Sequence, residues 1–310
     1  MNSTQIETPI LFLIFNRIDT TRQVFEIIRK VKPTRLFIAA DGPRPGNQSD
    51  LIKCDEVRKY VTQNIDWPCE LKTLFRESNL GCGRSVSSSI TWFFENVEKG
   101  IILEDDVIPS LSFFPYCEEL LNRYENDHRI MSISGSNLLK NDLIGDDSYF
   151  FSEYMGIWGW ASWARAWKGY DYEISSWSLI STQQKFKKKY TKGQYSFFKV
   201  IFDSIGKVNT WDYQWWYHHL VQDGIAIIPS LNLTKNIGFT PDATHTFDAD
   251  LDIKNSVNND IQFPLIHPKE TKLVLEYEHA LAKRFYWKDS SIIKRALKKL
   301  LSLMKVYSKK

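Results

Sequence analysis

The sequence lacks the signatures of several protein classes. Its four cysteines, Cys54, Cys69, Cys82 and Cys117, have no metal-ligand spacing, and no secretory segment precedes them. Reduced thiols in a cytosolic protein are the expectation, and zinc-ribbon chemistry is excluded. The start, Met1 to Pro9, is polar and has neither the basic region nor the apolar core of a signal peptide. No apolar run approaches the roughly 20 residues needed to span a bilayer. The net charge of +3 is too small to argue for nucleic acid as a partner. There is no internal repeat and no clean linker. The segment after the first apolar run, Asn16-Arg17-Ile18-Asp19, is not a glycine-rich phosphate loop.

What remains is an ordinary globular balance, 43% hydrophobic and 25% charged over 310 residues, with an unusual 11 tryptophans. Excess tryptophan suits a large core or stacking on flat faces such as bases and sugar rings. The continuous apolar run Pro9 to Phe15 reads as a strand covered on both faces. A helix follows with Val24, Ile27, Ile28 and Val31 on one face, ended by Pro33. Arg35 to Ala40 is a second strand, stopped by the rigid polar loop Asp41-Gly42-Pro43-Arg44-Pro45-Gly46. A helix from Asp50 to Asn64, a strand from Glu70 to Phe75 and a glycine-containing loop, Ser78 to Ser85, lead into a further helix through Phe94. The strand Gly100 to Leu103, a helix from Leu111 to Tyr124 and a strand from Ile130 to Ser134 complete the pattern. Such alternation implies an α/β fold with an open, Rossmann-like, mostly parallel central sheet flanked by helices. In such sheets ligands bind at the carboxyl ends of the strands.

That edge collects the polar groups. Gly100 to Leu103 runs directly into Glu104-Asp105-Asp106. Three adjacent carboxylates at a strand end repel one another and cannot all be buried unpaired. A divalent cation (Mn2+ or Mg2+) that also takes phosphate oxygens needs only one or two protein carboxylates. The expected ligand is Asp106, which projects furthest past the strand, with Glu104 and Asp105 bonding ribose and sugar hydroxyls. Arg17 and Arg84 are placed to neutralise a diphosphate, although for either arginine alone a surface ion pair is the commoner arrangement. Asp41 can accept from the N3–H of a uracil ring or cap its own turn. Transfer of a sugar with inversion needs a general base for the acceptor hydroxyl, and Asp212, among aromatics in Thr210-Trp211-Asp212-Tyr213-Gln214-Trp215, is the candidate. Its competing role is a helix N-cap, and Glu153 and Asp242 stand in reserve. His245, on a polar loop, is a candidate substrate contact. His218 and His219 point to different helix faces and read as structural. Trp158, Trp160 and Trp163 read as core before platform.

The expected organisation is a nucleotide-sugar-binding half over residues 8–140, an acceptor half over 141–285 packed on the same sheet as a smaller subdomain, and a tail over 286–310. On the tail Ile293, Leu297, Leu300, Leu301 and Met304 share a helical face flanked by lysines. A basic amphipathic helix of this kind fits the inner surface of a membrane.

The order of motifs resembles the GT-A nucleotide-sugar transferases, in particular the inverting N-acetylglucosaminyltransferase type that initiates complex N-glycans, and the bacterial glycosyltransferases of surface-polysaccharide gene clusters. The matching pieces are Phe15-Asn16-Arg17, Ala40-Asp41-Gly42, Ile102-Leu103-Glu104-Asp105-Asp106-Val107 with Phe113-Phe114 behind it, Trp211-Asp212, and the loop Asn236 to Thr246. The resemblance spans about residues 8–250. It implies that Arg17 binds the diphosphate, Asp41 the uracil and Asp106 manganese, and that Asp212 is the catalytic base. The sequence departs from the family by one extra residue before Trp215 and by the absence of an amino-terminal anchor. The expectation is therefore a metal-dependent inverting glycosyltransferase of cytoplasmic bacterial type, possessing a UDP-sugar donor and a glycan or lipid-linked saccharide acceptor, peripheral on the membrane through its tail. The alternatives are a sugar-1-phosphate nucleotidyltransferase, which uses a similar sheet but is expected to carry a glycine-rich loop where Asn16-Arg17-Ile18-Asp19 stands and so ranks lower, and a non-enzymatic carbohydrate-binding protein.

Overall fold

The computed structural model describes residues 5–137, 139, 145–238 and 259–285. The tail 286–310, Asp242 and His245 lie outside the described residues. Among the described residues no helix is long and apolar enough to cross a membrane.

The first apolar run forms β1 (Ile10–Ile14), buried at every position. Its alternate residues serve two cores, because successive strand side chains point to opposite faces. Ile10, Phe12 and Ile14 pack with Val24, Phe25 and Ile28 of α1 (Ile18–Val31), Val57 and Val61 of α2 (Gln48–Gln63), and Phe113 and Leu120 of α4 (Phe113–Arg123). Leu11 and Leu13 pack instead with Ile90, Phe93 and Phe94 of α3 (Cys82–Asn96). Each such fully buried side chain contributes about 1.5–3 kcal/mol. α1 ends where Lys32 takes a left-handed φ of 48° and Pro33 prevents continuation.

β2 (Arg35–Ala40), β3 (Glu70–Phe75) and β4 (Lys99–Glu104) pair in parallel in the order β3-β2-β1-β4. The sheet continues through β8 (Trp160–Trp163), β6 (Ile130–Ser134), β9 (Ile225–Pro229) and β7 (Tyr149–Ser152). β6 and β9 run with the first four strands, and β7 and β8 run against them. This is the mostly parallel α/β sheet that the alternation implies.

β8 has no counterpart in the sequence reading. It is buried throughout and sits in the middle of the sheet, antiparallel to both β4 and β6. Trp160 and Trp163, 1% and 2% exposed, are core residues and not stacking platforms. The short helix α5 (Ala164–Trp167) packs Ala166 and Trp167 into the core shared with α3, while a separate aromatic cluster is built by the short helices α6 (Trp177–Ile180) and α7 (Gln184–Lys189), with α8 (Lys192–Phe202) and α9 (Asp212–Val221). Its centre is Trp177, Phe198, Phe202 and Tyr217. α8 starts on a capping box, Thr191 with Gln194. A two-stranded ribbon of β5 (Val107–Pro109) and β10 (Thr234–Asn236) lies just past the acids, and α10 (Leu275–Phe285) packs Tyr277 and Leu281 on Phe150 and Ile228.

Candidate functional site at the carboxyl edge of the sheet

Glu104 is the last residue of β4, paired with Leu13 of β1, and Asp105 and Asp106 form the turn into β5. The turn is pinned from the far end of the chain, where the Ile237 N–H donates to the Asp106 carbonyl at 2.8 Å. Gly238 lies directly over Asp106: a Cβ there would overlap the carboxylate, 2.8 Å from its Cγ.

Arg17 stands between the two aspartates. Its Nη2 pairs with Asp105 and its Nη1 reaches Asp106 Oδ2 at 2.8 Å. Burial alone would lower the pKa of Arg17, and the charges of Asp105 and Asp106 outweigh that and raise it. The residue is held by its place ahead of α1, where its carbonyl accepts from the Thr21 N–H at 3.0 Å and hydroxyl at 2.7 Å. The expected diphosphate contact is therefore a bridge between the acids. Burial pushes Asp105 above the usual carboxylate range while Arg17 pulls it back. Burial, then the charges of Asp106 and Asp105, raise half-buried Glu104 further. Asp105 Oδ2 and Asp106 Oδ1 are buried with no hydrogen-bond partner among the described residues.

The second half of the chain supplies a fourth carboxylate. Asp212 raises Glu104 electrostatically, and Glu104, Asp212 and Asp106 together add to burial in raising the Cys82 thiol. Asp212 is the first residue of α9; the cap position belongs to Trp211, without a side-chain cap bond. The N-cap reading of Asp212 thus fails. The Thr210 hydroxyl donates to its Oδ1.

The other expected residues are engaged elsewhere. Asp41 accepts from the N–H groups of Gly42 at 2.9 Å, Leu80 at 2.9 Å and Gly81 at 3.1 Å, so both its oxygens close its own loop, the turn-capping role the sequence also offers. Burial raises its pKa in spite of those bonds. Arg84 pairs with Glu173 at 2.6 Å and lies over Tyr172 at 4.6 Å, with 61% of its side chain exposed. Glu153 is tied to Lys189 at 2.9 Å beside α10, in a different ion network from the acids. His218 donates to the Ala166 carbonyl at 3.1 Å. His219 is fully buried edge-on to Trp215, and burial lowers its pKa to about 3. Its ring nitrogens have no partner among the described residues, unlike the satisfied histidine that the helix position suggests.

Sequence reasoning missed a carboxylate that organises the edge. Asp50 is 2% exposed and accepts from Asn16 Nδ2 and Arg44 Nη2, both at 2.8 Å, which ties the loop after β2 to the end of β1. The signal was an aspartate three residues past a capping Asn47, which reads as a helix start.

Among the described residues no three His, Cys, Asp or Glu side chains are arranged as a metal cluster. The site nevertheless fits a cation brought in with phosphates. Two buried carboxylate oxygens lack partners among the described residues, and one or two carboxylates suffice when phosphate and water complete the shell.

No protein-family model and no curated protein matches the chain. Solved structures do match. A putative glucose-1-phosphate thymidylyltransferase from Bacillus anthracis is 9% identical, covering 62% of this chain and 83% of that one at a TM-score of 0.33. The inositol-1-phosphate CTP transferase from T. maritima is 10% identical, covering 76% and 91% at 0.33. A UDP-glucose pyrophosphorylase is 9% identical, covering 72% and 90% at 0.35. These are nucleotidyltransferases, and they correct the expected glycosyltransferase in favour of its alternative. A likeness this loose transfers no activity.

Proposed function

We propose that the protein is a sugar-1-phosphate nucleotidyltransferase working at the carboxyl edge of the sheet. The observation that carries this reading is the group of four carboxylates, Glu104, Asp105, Asp106 and Asp212, set against the single guanidinium of Arg17, with Asp105 Oδ2 and Asp106 Oδ1 left without partners. Such a site favours a divalent cation carried by a polyphosphate.

Asp106 and Asp212 are the residues proposed to hold Mg2+ or Mn2+. When bound, the cation offsets the negative charge of the triphosphate and of the leaving pyrophosphate. Arg17 orients Asp106 and holds Asp105, and Glu104 and Asp105 face the sugar and ribose hydroxyls. The reaction forms a bond between a phosphate oxygen of the sugar 1-phosphate and the α-phosphorus of the nucleotide. The α–β bridge breaks and pyrophosphate leaves. A phosphate monoester has a second pKa of about 6, so the nucleophile is already ionised at neutral pH and needs no protein base. Asp212 is thereby released from the base role and can act as a second carboxylate beside the cation. Arg84 is the proposed contact for the incoming sugar phosphate, because its exposed pair with Glu173 is of the weak kind that a phosphate displaces.

The test is incubation with each of the four nucleoside triphosphates, a panel of sugar 1-phosphates and Mg2+. Pyrophosphate release that requires both substrates is expected. Absence of pyrophosphate across the whole panel refutes the reaction.

A further inference from the structure

The sequence Gly81-Cys82-Gly83 at the start of α3 is a common turn pattern, yet its surroundings are specific. Gly81 has a left-handed φ of 78°, and a Cβ there would lie 3.2 Å from Asn209 Cγ and overlap its amide nitrogen. At Gly83 a Cβ would lie 2.7 Å from the Thr210 carbonyl oxygen and 3.0 Å from Asn209 Oδ1. The Gly83 N–H donates to Asn209 Oδ1 at 2.8 Å, across 126 residues of chain. Both glycines are thus the seat on which the segment 209–210 rests.

That segment carries Asp212. Thr210 donates its hydroxyl to the Asp212 carboxylate, and its carbonyl accepts from Gln214 Nε2 at 2.9 Å. The Trp211 carbonyl accepts from the Tyr170 hydroxyl at 3.0 Å. Between Gly81 and Gly83, Cys82 lies close enough to Glu104, Asp212 and Asp106 to feel all three charges. The first turn of α3 is therefore tied directly to the segment that leads into α9.

We propose that Asn209 is a positioning residue: by accepting the Gly83 N–H it docks the loop carrying Asp212 on the first turn of α3 and sets Asp212 against the Glu104–Asp106 turn. This assignment rests on the nucleotidyl-transfer reading for its effect on rate, and on geometry alone for the docking. A misplacement of about 1 Å at a site of this kind costs about 100-fold in turnover.

The two parts separate experimentally. In a Cys69→Ser background, with Cys54 and Cys117 buried at 2% and 0% exposure, modification by a disulfide reagent reports Cys82. Asn209→Ala is expected to speed that modification at least about tenfold, since the first turn of α3, which carries Cys82, loses its anchor at Gly83. Asn209→Asp, which retains an acceptor oxygen for Gly83, should restore the slow rate. In the pyrophosphate assay Asn209→Ala should lower kcat with little change in the nucleotide KM, and Asn209→Asp should recover a substantial part of kcat. An unchanged Cys82 rate in Asn209→Ala overturns the docking, whether or not the protein transfers nucleotides. Faster modification with unchanged kcat in an active enzyme overturns the positioning role. A wild type that forms no pyrophosphate overturns the proposed reaction, and the thiol rates then decide the docking by themselves.

Discussion

Replacing Gly238 by alanine probes the acidic turn without removing any of its charges. The added Cβ would overlap Asp106 Oδ2 and stand 2.8 Å from its Cγ and 3.1 Å from Asn236 Oδ1. Carbon contacts settle at about 3.5–4.0 Å, so the carboxylate or the strand end above it must move by roughly 1 Å. Asp106 is poorly placed to absorb this. Its carbonyl is held by the Ile237 N–H, and its carboxylate is held by Arg17 Nη1 at 2.8 Å. Overpacking of this kind costs about 1–3 kcal/mol of stability. On a site that needs Asp106 in register the effect on function is larger, about 100-fold for a displacement near 1 Å. Gly145→Ala is the matched control, because a Cβ there meets nothing within 4 Å. The assays are thermal unfolding and the Mn2+ concentration for half-maximal pyrophosphate release. Gly238→Ala should raise that concentration at least about tenfold while Gly145→Ala leaves it alone. If both variants match the wild type in Mn2+ dependence, the placement of Asp106 at the cation is refuted.

Two further outcomes follow from the charges of the edge. The folded pKa of Asp50 is lowered to about 2, first by its bond from Arg44, then by that from Asn16. Its unfolded pKa is near 3.9, so the pair contributes about 2 kcal/mol above pH ~4 and loses it as pH falls toward ~2; urea unfolding of wild type and Asp50→Asn should show a gap that closes over that window, and a pH-independent gap refutes the assignment. Arg17→Met leaves Asp105, 3% exposed, without its counter-charge and should cost about 3 kcal/mol, part of it recovered by Mn2+ with nucleotide; an unchanged melting temperature in the absence of metal counts against the bridge.

The strands that build the edge were legible because both of their faces are buried. Phe12 and Leu13, or Ile102 and Leu103, belong to different cores, and continuous apolar runs are the result. β8 was not legible, because four residues in an aromatic segment carry no periodicity, and their place between β4 and β6 is fixed only by tertiary pairing. Glu104, Asp105 and Asp106 demand a counter-charge, and Arg17 supplies part of it, although spacing alone suggested that Arg17 would meet a ligand. The ion-pair partner of Arg84 was not legible, because Glu173 lies 89 residues away, a distance no local pattern spans. The capping of its own turn by Asp41 was legible at Gly42, but two of its three N–H donors come from the loop after β3, which local sequence does not place beside it. Asp212 looked like a helix cap because a carboxylate at the first helical position and one at the cap differ by a single residue.

A cation-bound nucleotide seated on the β4 acids is what the proposed reaction depends on. Calorimetric titration of a nucleoside triphosphate into wild type and Asp106→Ala, each with and without Mn2+, tests it most directly. Tight, Mn2+-dependent binding to the wild type is expected, at least about tenfold weaker in the variant and no longer sensitive to Mn2+, a loss of about 1.4 kcal/mol or more. Equal affinities for the two proteins, or binding indifferent to Mn2+ in the wild type, contradict it.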